Sequence, residues 1–132
     1  KLPLWINRRR QIAAKYTEAL AAMPEIQPPA SCPSRKPAWH LYVIRLKLER
    51  LREGREQVFK ALWAENIGVN VHYIPVPWHP YYQKLGYKKG QWPVAEDAYE
   101  RILSLPISPS VTDGDVDDVI RAVRKVIRFF RK

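Results

Sequence analysis

The chain has 132 residues, 46% of them hydrophobic and 27% charged, which suits one globular domain and excludes a disordered tail. Its single cysteine, Cys32, rules out an intrachain disulfide framework, and no apolar run is long enough to span a bilayer. The net charge of +10 leaves a phosphate- or nucleic-acid-binding surface open as a reading, next to the plainer one of a solvated basic surface or a face for an acidic partner domain.

Residues from about Leu4 to Met23 read as a helix, with Ile6, Ala13, Tyr16 and Leu20 recurring at helical steps. Arg8, Arg9 and Arg10 sit near its start, where positive charge opposes the helix dipole, so something acidic or anionic is expected nearby. The opening KLPLWINRRR lacks the order of a signal peptide, because the arginines follow the short apolar part. The chain reads as a piece of something longer, in a reducing compartment such as the cytoplasm. Met23-Pro24 ends the helix, and Pro24 to Pro37 follows as a proline-rich surface connector.

Trp39 to Leu48 is the strongest strand, with apolar residues on both faces and hence a central position. His40 is expected to pack at its end. Glu53 to Asn66 reads as a helix with Val58, Phe59, Leu62 and Trp63 as its stripe, closed by glycine at Gly68. Gly68 to Ile74 alternates as a short strand. Prolines then punctuate the chain, with a helical turn or two at Pro80 to Leu85 and a helix at Val94 to Arg101. Ile102 to Ile107 reads as a third strand. In the last helix Thr112 is the N-cap, aspartates fill the first turns, and Arg121 to Lys132 carry the basic end. That polarity matches the macrodipole and accounts for much of the net charge without nucleic acid. The order predicts an α+β fold, a small antiparallel sheet of about three strands with helices packed on it, as one domain over residues 1–132.

The chemistry concentrates in NVHYIPVPWHPYY, Asn70 to Tyr82. His72 and His79 lie seven apart across prolines, which is not a zinc-ligand spacing, and no CxxC or HExxH occurs, so no metal site is expected. No GxSxG elbow and no phosphate-binding glycine loop is present, so no catalytic residue is assigned. Cys32 has Arg35 and Lys36 nearby, which could lower its pKa, but no partner base. Trp78 and Tyr82 read as packing residues. For His72 and Tyr73, at a strand end, packing and ligand contact both stand.

RRRQIAAKYTEAL, HLYVIRL, IGVNVHYIPV, HPYYQKLGY, PVAEDAYERILSLPISPSVT and DVDDVI occur in that order. Together they resemble the C-terminal domain of the DegT/StrS family of sugar aminotransferases, over nearly the whole chain. The resemblance implies a fold-type I enzyme that uses pyridoxal phosphate to move an amino group, usually from glutamate, to a keto sugar on a nucleotide. It implies as partners a large N-terminal domain bearing the cofactor lysine and the second subunit of a homodimer, with neither nucleic acid nor membrane. His72 and Tyr73 match the family's HY pair, and His79 falls in the aromatic run that follows. All three are expected to face the sugar nucleotide, through ring tips that can bond hydroxyl or diphosphate oxygens. HYIPVPWHPYY is most similar to members that aminate UDP-linked 4-keto-6-deoxy-N-acetylhexosamines, such as those on the pseudaminic acid route. No lysine here lies in a cofactor motif, so this chain is expected to hold no cofactor and to be inactive alone. A free-standing binding module for nucleotide sugars or other anions, and a basic nucleic-acid-binding domain, are the alternatives. Trp5, Trp39 and Trp78 are candidates for a face that meets the large domain.

Overall fold

A computed structural model of the chain describes residues 1–32 and 34–132; Pro33, in the proline-rich connector, lies outside them. In chain order the elements are α1 (Leu2–Ala21), β1 (Ile26–Gln27), β2 (Tyr42–Leu46), α2 (Arg55–Ala64), α3 (Pro80–Lys84), α4 (Pro93–Arg101), β3 (Ile102–Leu105) and α5 (Asp113–Phe130). Short 3-10 turns lie at Leu48–Arg50 and Val76–Trp78. The sheet is antiparallel, three-stranded and ordered β1-β2-β3. The α+β fold with about three strands stands as expected. No helix among the described residues is long and apolar enough to cross a membrane.

One strand is not where the alternation put it. Gly68 to Ile74 forms no strand; it contributes a single bridge, Asn70 to Ser104, to the outer edge of β3. The third strand is β1, inside the proline-rich connector, where Ile26 pairs with Leu46 and Gln27 with Arg45. The connector is therefore anchored. Glu25, just before β1, is 2% exposed, and Arg131 Nε approaches its Oε1 at 2.5 Å. A buried carboxylate needs such a partner, and α5 delivers it from its C-terminal end.

Tyr42, Ile44 and Leu46 of β2, with Leu103 and Leu105 of β3, point to one face and are buried there. Ile12, Tyr16 and Leu20 of α1, Val58 and Leu62 of α2, and Val116, Val119, Val123 and Ile127 of α5 close over them. Tyr16 donates its hydroxyl to Pro106 O at 2.8 Å, and Tyr42 shares a 2.8 Å bond with Thr17 Oγ1. Burial pushes both phenol pKa values up. β2 is the central strand, but its second face is only partly covered: Val43 is half-buried and Arg45 exposed, with Arg45 bound to Asp97 of α4. Asp97 and Glu49 both bind Arg101, at 2.7 and 2.9 Å, which ties α4 to the turn after β2.

α5 begins at a complete capping box. Thr112 Oγ1 accepts from the Asp115 N–H, and the Asp115 carboxylate accepts from the Thr112 N–H. α2 ends in a Schellman motif in which Asn66, not Gly68, takes the left-handed conformation at φ 61°. Asn66 N–H donates to Trp63 O, and Ile67 N–H to Leu62 O. Trp63, expected in the α2 stripe, is 56% exposed; its Nε1–H donates to Val69 O.

The arginine triplet finds its compensation in backbone carbonyls. Arg8 donates to Val111 O and binds Asp113 at 2.8 Å. Arg9 Nη1 lies 3.0 Å from the carbonyl oxygens of Trp39, His40 and Ile107. Arg10 donates to Lys36 O and Pro37 O. The triplet thus fastens the connector and the β3–α5 turn to α1. Arg9 holds the chain where Trp39 is at φ 50°, a conformation that L-residues rarely adopt. The C-terminal cations are similarly engaged: Arg124 with Ala19 O, Lys125 with Glu65, and Lys132 with Glu49 O.

Arg9→Ala is expected to lower the unfolding free energy by about 2 kcal/mol in urea titrations, since part-buried carbonyls lose a charged donor. Acid should also destabilise the fold. Arg101, then Arg45, hold the Asp97 carboxyl below its usual range, and Arg8 does so for Asp113. A depressed carboxylate contributes stability above its unfolded pKa and loses it as pH falls through the folded value. Thermal midpoints should therefore drop from about pH 4 downward, and less steeply in an Asp97→Asn, Asp113→Asn double variant.

Candidate functional site

β3 is hydrogen-bonded along both edges. Its inner edge pairs with β2, and on the outer edge Ser104 N–H donates to Asn70 O at 2.8 Å while Asn70 N–H donates to Ser104 O at 3.1 Å. This one bridge fixes the path of the residues that follow Asn70. Two residues later the His72 ring lies over Ser104, with Nδ1 2.8 Å from Ser104 Oγ. Ser104 faces away from the core, yet it is only 4% exposed. Tyr73 stands edge-on to the His72 ring at 4.6 Å and is 74% exposed. The peptide between them is cis. A half-buried imidazole and an exposed phenol therefore share one ledge at the outer edge of the sheet.

His79 is placed differently. It is exposed and serves as the N-cap residue of α3, and among the described residues no hydrogen bond or ring contact ties it to His72 or Tyr73. The structure brings two of the three expected residues together and leaves the third further along the same loop.

From Pro75 to Trp92 the chain forms a lip built of aromatic contacts. Trp78 packs edge-on against Tyr99 of α4 at 5.4 Å, with Lys89 Nζ 4.2 Å above the Trp78 ring. Tyr81–Tyr82, Tyr82–Tyr87 and Tyr87–Trp92 continue the series at 5.4, 6.0 and 5.4 Å. Trp78 and Tyr82 are packing residues, as read from the sequence. Glu96 closes the lip by accepting the Gly90 and Trp92 N–H groups. Gly86 and Gly90, at φ 94° and 92°, make the two reversals that this closure needs. Arg55 of α2 lies 5.0 Å from the Tyr99 ring centre, so the helices also hold the lip from below.

Two further concavities lie elsewhere. A groove of about 820 Å³ runs between the start of α1 and the Ser108–Ser110 turn, lined by Leu2, Leu4, Trp5 and His40 among others. His40, expected to pack at a strand end, is instead exposed here, and its carbonyl accepts from Arg9. Trp5 is 50% exposed, whereas Trp39 packs on Tyr42 at 5.5 Å, so of the three tryptophans considered as a docking face only Trp5 is open. The exposed Leu2 and Leu4 extend that face. A second groove, of about 560 Å³, lies between Asn66–Gly68 and α5.

Neither of these two grooves presents the residues of a pyridoxal phosphate site. Such a site needs a lysine facing a cavity beside anion donors. Of the lysines, Lys125 alone lines either groove, and its Nζ is bound to both carboxylate oxygens of Glu65, at 2.8 and 2.9 Å. Among the described residues no group of three or more His, Cys, Asp or Glu could hold a metal ion. Cys32 is exposed, and its pKa is lowered by the Ser34 hydroxyl, 3.1 Å away, rather than by Arg35 or Lys36.

Sequence reasoning missed Ser104, Glu96 and Tyr99. A serine within a strand carries no outward sign, and nothing singled out Glu96 within the expected helix at Val94 to Arg101. The paired reversals at Gly86 and Gly90, followed by a helix start with Glu at its fourth position, would have been the signal for Glu96.

Residues 1–124 match the DegT/DnrJ/EryC1/StrS aminotransferase family. The spore coat polysaccharide biosynthesis protein SpsC of Bacillus subtilis is 45% identical over 124 residues, covering 92% of this chain and 32% of SpsC. The structure of DesV from S. venezuelae, in complex with a ketimine intermediate, superimposes with a TM-score of 0.82 at 34% identity, over 92% of this chain and 31% of DesV. PseC of Helicobacter pylori, an aminotransferase involved in the biosynthesis of pseudoaminic acid, has a TM-score of 0.88 over 97% of this chain and 34% of PseC; at 24% identity it speaks for the fold alone. The chain spans about a third of the length of the relatives it matches. Its match over residues 1–124 makes the chain a member of the DegT/DnrJ/EryC1/StrS aminotransferase family.

Proposed function

We propose that this chain is the C-terminal small domain of a pyridoxal phosphate-dependent sugar aminotransferase, and that its His72–Tyr73 ledge and the lip beyond it border the sugar-nucleotide pocket. The observation that carries this reading is the ledge: a half-buried imidazole and an exposed phenol, set beside a doubly paired strand and backed by an aromatic lip. Sites of this kind present a few fixed polar groups on a stiff frame. Membership of an aminotransferase family supports the reaction class, and coverage of a third of the relatives supports the division of labour.

In this reading the cofactor lysine belongs to a larger N-terminal domain. Pyridoxal phosphate supplies the electron sink that lets an amino group pass from glutamate to the keto carbon of the sugar. The present chain binds and orients. Tyr73 and His72 bond hydroxyl or diphosphate oxygens, and His79 extends the contact along the lip. The lip excludes water from that side of the pocket. The substrate class is a UDP-linked 4-keto-6-deoxy sugar. The open Leu2–Leu4–Trp5 face meets the large domain, and the enzyme works as a cytoplasmic homodimer.

The basic surface lends less support to a nucleic-acid reading. Arg8, Arg9, Arg10, Arg124, Lys125 and Lys132 are engaged by carbonyls and carboxylates of the fold itself. Those groups do not form the free basic stripe that phosphate-backbone binding requires.

A chimera tests the proposal. Residues 1–124 replace the matched segment of SpsC, and glutamate-dependent amination of UDP-linked keto sugars is measured. His72→Ala and Tyr73→Phe are each expected to raise KM for the sugar nucleotide about 10-fold, the loss of roughly one hydrogen bond to a charged group, with KM for glutamate unchanged. Unchanged sugar KM in both variants would remove the ledge from the site.

A further inference from the structure

The geometry points to Ser104 as a positioning residue that fixes the protonation pattern of His72: the Ser104 hydroxyl donates to Nδ1, so the neutral imidazole carries its proton on Nε2 and presents a donor outward. The functional consequence rests on the placement of His72 in the sugar-nucleotide site; the protonation pattern does not.

The argument starts from burial. Ser104 is 4% exposed, and a buried hydroxyl hydrogen needs an acceptor. Among the described residues its only side-chain partner is His72 Nδ1, at 2.8 Å. The two ways of sharing that bond are not equivalent. If Nδ1–H donated to Oγ, the serine hydrogen would be left buried without an acceptor. The backbone offers no relief: among the described residues no carbonyl lies within hydrogen-bond reach of the Ser104 hydroxyl, whose one partner is His72 Nδ1. If Oγ–H donates to Nδ1, both atoms are satisfied and the ring proton must sit on Nε2.

Position is fixed as firmly as protonation. Ser104 is held across β3 by Val43 on one edge and Asn70 on the other, so its Oγ has little freedom to move. Tyr73 packs edge-on against the ring at 4.6 Å and restrains its tilt. The imidazole is thus a pre-aimed donor. It suits an oxygen that only accepts, such as a diphosphate or carbonyl oxygen, over a group that must itself donate. The hydroxyl of Ser104 takes no part in chemistry; it acts through His72.

Long-range proton–nitrogen correlation spectra of the labelled 132-residue chain at neutral pH test this without any ligand, so failure here would leave the proposed function standing. The chain has three histidines, and His72→Ala identifies the signals of the one in question. His72 is expected to show Nε2 protonated and Nδ1 as the bare, hydrogen-bonded nitrogen. Ser104→Ala should move the Nδ1 resonance towards that of the exposed His40 and His79. Ser104→Thr, which keeps the hydroxyl on a strand-compatible side chain, should retain the wild-type pattern and so separates loss of the bond from loss of the fold. A proton on Nδ1 in the wild-type chain would overturn the inference, as would an Nδ1 resonance that the folded Ser104→Ala variant leaves in place.

Discussion

β3 is four residues long and is hydrogen-bonded on both sides, and the placement of the His72–Tyr73 ledge follows from that. Its inner face, Leu103 and Leu105, closes the core with α1, α2 and α5. On its outer edge the Asn70 bridge stops the incoming chain in one register. Because side chains alternate along extended backbone, that register decides that His72 comes down on Ser104. A slip of one residue would turn the imidazole away and bring Val71 over the serine. The ledge is therefore a product of strand pairing, and the aromatic lip only extends it.

Charge plays a mainly structural part. In a small domain with twelve prolines, long segments lack regular backbone partners. Arginine answers that need, since one guanidinium can serve several carbonyls at fixed angles. Arg9 and Arg10 do this from α1, while Arg8 binds one carbonyl, Val111 O, together with the Asp113 carboxylate. Lysine could not replace Arg8 or Arg10 with equal effect, because each binds through more than one nitrogen of the planar guanidinium. Part of the positive charge thus serves to hold irregular backbone to helices.

Elements with strong local chemistry were legible in the sequence. Thr112 with Asp115 announced α5, and the alternation through Tyr42, Ile44 and Leu46 announced β2. Elements that depend on distant partners were not. β1 has two residues and exists because Leu46 and Arg45 offer an edge, while Arg131, over a hundred residues away, neutralises Glu25 beside it. Val69, Val71 and Tyr73 alternate as a strand would, yet only Asn70 bridges, since the following Pro75 and Pro77 carry the chain into the lip. Gly68 seemed the natural helix terminator, but Asn66 tolerates the left-handed conformation and lies where the Schellman bonds require it. For the ledge, resemblance to the family supplied His72 and Tyr73, and the structure added the serine beneath them.

The proposed reading makes this chain a small domain that shapes and closes a pocket whose reactive centre lies in another part of the enzyme. Pyridoxal phosphate added to the isolated chain, followed by borohydride reduction and peptide mass mapping, tests that division most directly. Sparse labelling scattered over surface lysines is the predicted result. One lysine labelled specifically and near stoichiometrically would contradict it, for the cofactor site would then lie within these 132 residues.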